Sequence, residues 1–227
     1  ASHRIVGESS QIAMPECGIG LMPDVGGSLI LSKAADGLGI YLGTTCTRMD
    51  AADSIYTGFA DTFVPEKSWL NLKEELISTG NWKIISDFKI KPIESNLRKN
   101  SIEIQKFFSG KNHIEIIKQL KNSKSKFAKD SLLKIKKVSP LSMACTVKLI
   151  NKLGKTNSIR KALNLEYRFT FRASEFGDFL EGIRAQIIEK DRKPLWKHES
   201  SEKVSIDDVS YMLASLKDKE LNIEEML

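Results

Sequence analysis

Glu16 and Asp24 are the residues of this sequence whose types and spacing best suit chemistry. Seven residues lie between them, and Gly18, Gly20 and Pro23 among these let the chain fold back so that both carboxylates enter one cleft. A pair of carboxylates in one cleft suits general acid and base work, because their surroundings can push the two pKa values apart. Taken singly, each has a plainer role. Asp24 sits where the N-cap of a following helix belongs, and Glu16 fits as an ordinary exposed loop acid. Spacing alone leaves both roles open. Other chemistries find less to work with. His3, His113 and His198 share no metal-ligand spacing, and Cys17 has no histidine nearby in sequence. Cys17, Cys46 and Cys145 are too few and too scattered for a disulfide framework or a zinc site. There is no phosphate loop and no dinucleotide fingerprint.

The elements that must position the pair are short and rich in turns. Ser10-Gln-Ile-Ala-Met14 reads as a strand entering the turn-rich stretch Pro15 to Pro23. After Asp24 a helix begins, its first turn loosened by Gly26 and Gly27. Asp50 to Tyr56 reads as another short helix stopped by Gly58, and Ala60 to Val64 as a strand closed by Pro65. Beyond Pro65 the apolar spacing turns helical. Ile102, Ile104, Phe107 and Phe108 sit at helical offsets, as do Ile114, Ile116, Ile117 and Leu120. Ser139-Pro140 makes a good helix start, and Leu163, Leu165, Phe169 and Phe171 continue toward Phe176, Phe179, Leu180 and Ile183. No internal repeat or heptad seam is present. The chain therefore reads as an α/β portion over residues 1–65 and a mainly helical region over residues 66–227. Two strands make only a marginal sheet. The front portion is thus expected to borrow strands from another chain, or from a part preceding Ala1.

Composition narrows the class. Of 227 residues, 41% are hydrophobic and 28% charged, which excludes a disordered chain. No apolar run approaches the roughly 20 residues of a membrane-spanning helix, so no membrane partner is expected. The start has no charged segment leading into an apolar core, unlike a signal peptide, and with no initiator Met the true start is expected upstream. Three scattered cysteines fit a reducing, cytoplasmic setting. The net charge of +6 is unevenly spread: residues 81–161 carry +15, against −5 before and −4 after. That basic stretch is lysine-rich, with Arg98 and Arg160 its only arginines, whereas base readout favours arginine and stacking aromatics. Phe107, Phe108 and Phe127 fall at apolar positions and read as core. The stretch is therefore read as a solvated helical surface, and nucleic acid is not expected as a partner.

Ala13-Met-Pro-Glu-Cys-Gly-Ile-Gly-Leu-Met-Pro-Asp-Val-Gly-Gly-Ser28 resembles the active-site segment of the 3-hydroxyisobutyryl-CoA hydrolase branch of the enoyl-CoA hydratase/isomerase (crotonase) superfamily. Leu42-Gly-Thr-Thr-Cys-Thr-Arg-Met49 and Gly58-Phe-Ala-Asp-Thr-Phe-Val-Pro65 resemble the superfamily's next segment. Ser139-Pro-Leu-Ser142, Leu165-Glu-Tyr-Arg168, Asp178-Phe-Leu-Glu-Gly-Ile-Arg-Ala185 and Lys190-Asp-Arg-Lys-Pro-Leu-Trp196 resemble pieces of the hydrolase branch, so the likeness covers nearly the whole chain. Cys17 stands where the branch usually has Thr, Leu21-Met22 where aromatics are common, and Cys46 where glycine is expected. These changes bear on the acyl pocket more than on the reaction class.

The resemblance implies the later part of a crotonase-like ββα core followed by a long helical region. It also implies that roughly the N-terminal third of the family pattern, with the backbone N–H groups of the oxyanion hole, lies before Ala1. The implied activity is hydrolysis of 3-hydroxyacyl-CoA thioesters, of the 3-hydroxyisobutyryl-CoA type in valine catabolism, to free acid and coenzyme A. Glu16 would be the catalytic base or nucleophile, and Asp24 would bind the substrate's 3-hydroxyl and orient Glu16 or its water. No cofactor is implied, since coenzyme A enters as part of the acyl-CoA substrate. The alternatives are hydration or isomerisation of an enoyl-CoA, and an inactive truncated or partner subunit. A separate N-terminal chain or a second copy of this one would be its partner, and residues 1–227 alone are expected to be inactive.

Overall fold

The computed structural model describes residues 2–154 and 156–221. Two compact units form, each from two separate stretches: Ala1–Ala13 with Arg48–Ser101, and Met14–Thr47 with Ile102–Leu227. Each unit draws on both sides of Pro65. The change of texture there is a change of element type, from short strands and turns to successive helices.

The first unit is built on a two-stranded parallel sheet in which Ile5–Val6 pairs with Thr62–Phe63, Ile5 opposite Thr62 and Val6 opposite Phe63. Strand alternation sends neighbouring residues to opposite faces. Val6 and Phe63 pack with Ala51, Ile55, Ala60 and Ile12 on one side, while Ile5 and Val64 pack with Leu72, Leu76 and Ile85 on the other. Asp61 fixes the register by accepting from the Arg4 backbone at 2.7 Å and from its guanidinium at 2.6 and 3.0 Å. The short helix expected near Asp50 spans Ala51–Tyr56, with the Asp50 carboxylate accepting from Asp53 N at 2.8 Å. The strand expected over Ser10 to Met14 does not form. Ile12 makes a single antiparallel bridge to Met49, and Pro15 follows at once with a fixed φ and no N–H to extend a ladder. The strand that does pair with Thr62–Phe63 is Ile5–Val6, too short to leave a periodic signal.

The second unit is organised by the helix Pro140–Leu153, whose N-cap is Ser139 with Pro140 in the first helical position, as expected. It is buried on nearly every face, as a central helix must be. Leu141, Ala144, Cys145, Leu149 and Leu153 pack with Met22 and Leu29, and with Leu165, Phe169 and Ala173 of the helix Ile159–Ala173. Phe171, Phe176 and Leu180 do not continue that stripe and are exposed. Phe169 already occupies the one face that meets the core, and a residue two positions on lies across the helix. In the basic stretch the helices His113–Lys121 and Lys126–Ile135 bury Ile116, Ile117, Leu120, Ala128 and Ile135. Lys118, Lys121, Lys126 and Lys129 lie on their exposed faces.

The helix Phe179–Ile183 meets the turn Glu16–Ile19 through glycine: a Cβ on Gly182 would lie 2.1 Å from the Ile19 carbonyl oxygen. Gly182→Ala is expected to destabilise the protein by about 2 kcal/mol or more through overpacking against backbone. Gly18→Ala is the control, because a Cβ there meets only Cys46 Sγ at 3.9 Å. Chemical denaturation of both variants checks this; equal midpoints would show that the turn yields.

Candidate active site

Glu16 opens a 3-10 turn, Glu16–Ile19, entered from Pro15 and closed by Gly20 at φ 78°. The turn is tied down from several directions. Cys17 is wholly buried and its Sγ lies 3.3 Å from Thr146 Oγ1 of the central helix. The Cys17 carbonyl accepts from Ser139 N at 2.9 Å. The Ser139 hydroxyl donates to Asp178 Oδ2 at 2.5 Å, and the other Asp178 oxygen accepts from Lys197 N at 2.8 Å. Three stretches far apart in sequence, near Ser139, Asp178 and Lys197, thus converge on the backbone beneath Glu16.

On that turn the Glu16 side chain is half-buried, and its Oε2 is sealed from solvent with no hydrogen-bond partner among the described residues. Burial raises its pKa from the ordinary 4.5. The hydrogen bond to its own backbone opposes this, while the charges of Asp24 and Glu166 raise it further. Burial also raises Asp24 from 3.8, against a bond to its own backbone N–H. Such a carboxyl is a better proton acceptor than a solvated one and has a lone pair still to give.

Asp24 does not cap the following helix. That helix spans Gly27–Ser32, its N-cap is Gly26, and no side chain of the cap residue bonds to it. Val25 and Gly26 instead form two consecutive left-handed residues, at φ 53° and 85°. The helix's amino end is satisfied by Glu166, on the helix Ile159–Ala173: Gly26 N donates to it at 2.8 Å and Ser28 N at 3.1 Å, and the Ser28 hydroxyl also donates. Glu166 is 2% exposed. Burial raises its pKa, and these donors hold it down. The structure therefore gathers Glu16 and Asp24 into one electrostatic cluster with a third carboxylate that sequence reasoning left out of the site. The signal was present: Glu166 shares the buried face of Ala162, Leu165 and Phe169, where an acid needs a partner.

The cysteines offer no competing nucleophile. Burial pushes the Cys46 thiol up to about 11, and holds Cys17 and Cys145 above their ordinary range as well.

The description "Enoyl-CoA hydratase/isomerase" belongs to the family model that matches residues 1–213. The 3-hydroxyisobutyryl-CoA hydrolase, mitochondrial, of Xenopus laevis is 32% identical over 231 residues, covering 97% of this chain and 60% of that protein. The human protein of the same name is 32% identical over 229 residues, covering 96% and 59%. The chain thus spans about 60% of the length of these curated relatives. Among solved structures, an enoyl-CoA hydratase from Rhodobacter sphaeroides 2.4.1 superposes with a TM-score of 0.88 at 43% identity, covering 98% of this chain and 64% of that one. A carnitinyl-CoA dehydratase from Mycobacterium thermoresistibile gives 0.89 at 30% identity over the same shares. The fold is crotonase-like, and this chain belongs to the enoyl-CoA hydratase/isomerase family.

Proposed function

We propose that the protein containing this chain hydrolyses 3-hydroxyacyl-CoA thioesters, of the 3-hydroxyisobutyryl-CoA type formed in valine breakdown, to free acid and coenzyme A. The observation that carries this reading is the Glu16 carboxylate, rigidly held, raised in pKa and with a buried oxygen unpaired beside Asp24. On this reading Glu16 either takes a proton from the attacking water, or attacks the thioester carbonyl itself, breaking the C–S bond to release coenzyme A and leaving a mixed anhydride that water then hydrolyses to the free acid. Asp24, free of any capping duty, accepts from the substrate's 3-hydroxyl. The developing oxyanion needs preorganised donors, which the resemblance implies are backbone N–H groups. Losing one such donor typically costs about 100- to 1000-fold in rate. The chemistry draws on no cofactor of its own, and coenzyme A arrives with the substrate.

Hydration of an enoyl-CoA is the second reading, supported by the enoyl-CoA hydratase at 43% identity. Product analysis separates the two. Free thiol from a hydroxyacyl-CoA supports hydrolysis, and loss of enoyl absorbance without thiol supports hydration. A reducing compartment completes the proposal, since all three cysteines are free. The cytoplasm expected from cysteine usage and the mitochondrial naming of the curated relatives are told apart by cell fractionation.

Glu16→Gln is expected to lower kcat by on the order of 100-fold or more while leaving acyl-CoA affinity within a few-fold. Its stability should move the other way. Folding raises the Glu16 pKa, so the charged form destabilises the native state once pH rises above 4.5 and through the folded value. The Gln variant should therefore melt higher than wild type near neutral pH, and the gap should close on acidification toward 4.5. Thiol release, isothermal titration with an acyl-CoA and melting curves across pH test all three. Turnover within a few-fold of wild type removes Glu16 from the mechanism.

Asp24→Ala is expected to lower kcat/KM for 3-hydroxyacyl-CoA by about tenfold or more relative to plain acyl-CoA, because an unpaired polar group discriminates against a substrate lacking its partner. An equal loss for both substrates would assign Asp24 to the fold instead.

A further inference from the structure

We infer that Glu166 is a positioning residue: it takes the backbone donors of the turn that follows Asp24, and so keeps the Asp24 carboxylate from capping the helix Gly27–Ser32. What Asp24 then does with a substrate rests on the hydrolase reading. The positioning itself does not.

Glu166 spends its carboxylate on one short stretch. One oxygen accepts from Gly26 N, and the other from Ser28 N and the Ser28 hydroxyl. That stretch starts two residues after Asp24 and contains an unusual backbone. Val25 lies at φ 53°, in the left-handed region that a β-branched residue rarely enters, and its side chain is 86% exposed. So exposed a side chain has little packing to hold that conformation in place. Strained backbone persists only where its surroundings over-determine it, and here the hydrogen bonds to Glu166 do so from the next residue onward. The donors are also those that an aspartate two residues before Gly26 could reach if the turn relaxed. Asp and Asn are strong capping residues, and the helix Gly27–Ser32 has no cap from its own N-cap side chain. Glu166 therefore wins a competition for the N–H groups of the helix's amino end, and Asp24 is left with the bond to its own backbone.

The burial of Glu166 supports this. A carboxylate 2% exposed on the apolar face of the helix Ile159–Ala173 needs dedicated partners. Those it has belong to one turn of the candidate site, 138 and 140 residues away in sequence. A role confined to helix packing would be served at less cost by an apolar residue of similar size.

The test uses Glu166→Gln, which keeps the shape but can accept with only one end, and Glu166→Ala. The Asp24 carboxyl carbon is followed by NMR titration in wild type and in Glu166→Gln, with a melting curve confirming that each is folded. Released donors should bond Asp24, and its titration should move to lower pH, because hydrogen bonds to the charged form favour it. The second arm is a cycle of Asp24→Ala, Glu166→Ala and the double variant, assayed with a 3-hydroxyacyl-CoA and the plain acyl-CoA. Glu166→Ala should lose the hydroxyl preference by about tenfold, as Asp24→Ala does, and the double variant should lose little more. An Asp24 titration unchanged in a folded Glu166→Gln overturns the inference. So does an equal, additive loss for both substrates. If wild type releases no thiol at all, the hydrolase reading fails and the titration alone still decides the role of Glu166.

Discussion

A carboxylate oxygen sealed from water and left without a hydrogen bond is costly to keep, and Glu16 keeps one because the backbone beneath it cannot retreat. The Cys17 carbonyl is held by Ser139, the Ser139 hydroxyl by Asp178, and Asp178 in turn by the Lys197 amide. Gly182 lies so close to the Ile19 carbonyl that the turn has no room to sink. The central helix supplies both Ser139 at its cap and Thr146 on its buried face, so its burial passes the stiffness of the core directly to the turn. A softer support would let the side chain swing out to water, and its pKa would return to that of any surface acid.

Several unfavourable terms meet around Glu16 and Asp24. Three carboxylates lie within reach of one another's field, and Val25 adds a strained backbone. Left-handed non-glycine residues also occur elsewhere in the unit, at Cys46, Lys190, Arg192 and Lys217. His113, Ser142, Asn164 and His198 also bury polar atoms with no partner among the described residues, so what sets this place apart is the grouping of carboxylates. Each carboxylate also has a distinct degree of commitment. Glu166 has spent both oxygens on backbone and hydroxyl donors, Asp24 is bonded only to its own backbone among the groups that shift it, and Glu16 holds one oxygen unpaired.

The sequence was most legible where a signal is local. Ser139 before Pro140 and Asp50 before Ala51 announce helices through chemistry confined to four residues, and the structure has both. It was least legible where the deciding partner is distant. The run Ser10 to Met14 looks like a strand by composition, but its pairing depends on neighbours, and among the described residues Met49 alone forms a strand-type bridge with it. Asp24 occupies a plausible capping position, yet the donors it would take go to a residue of another helix. Glu166 lay within a stretch already singled out for its resemblance, but an acid on an apolar face declares only that it needs a partner, not where. Phe171 and Leu180 mislead for the same reason, since periodicity counts apolar residues without knowing how wide a face the core will cover.

The supports of the Glu16 turn are remote along the chain: Thr146 lies 129 residues beyond Cys17, and Glu166 140 beyond Gly26. Contacts of such separation form late, after the loop they close has been paid for in chain entropy. A chain emerging from the ribosome therefore displays the two candidate site residues long before it can use them, and the last brace arrives only with Lys197. Until then the Pro15 to Pro23 segment is a glycine-rich tether carrying two ordinary acids. An early stop or a proteolytic nick between Thr146 and Lys197 would leave Glu16 and Asp24 intact as letters and return them to that state.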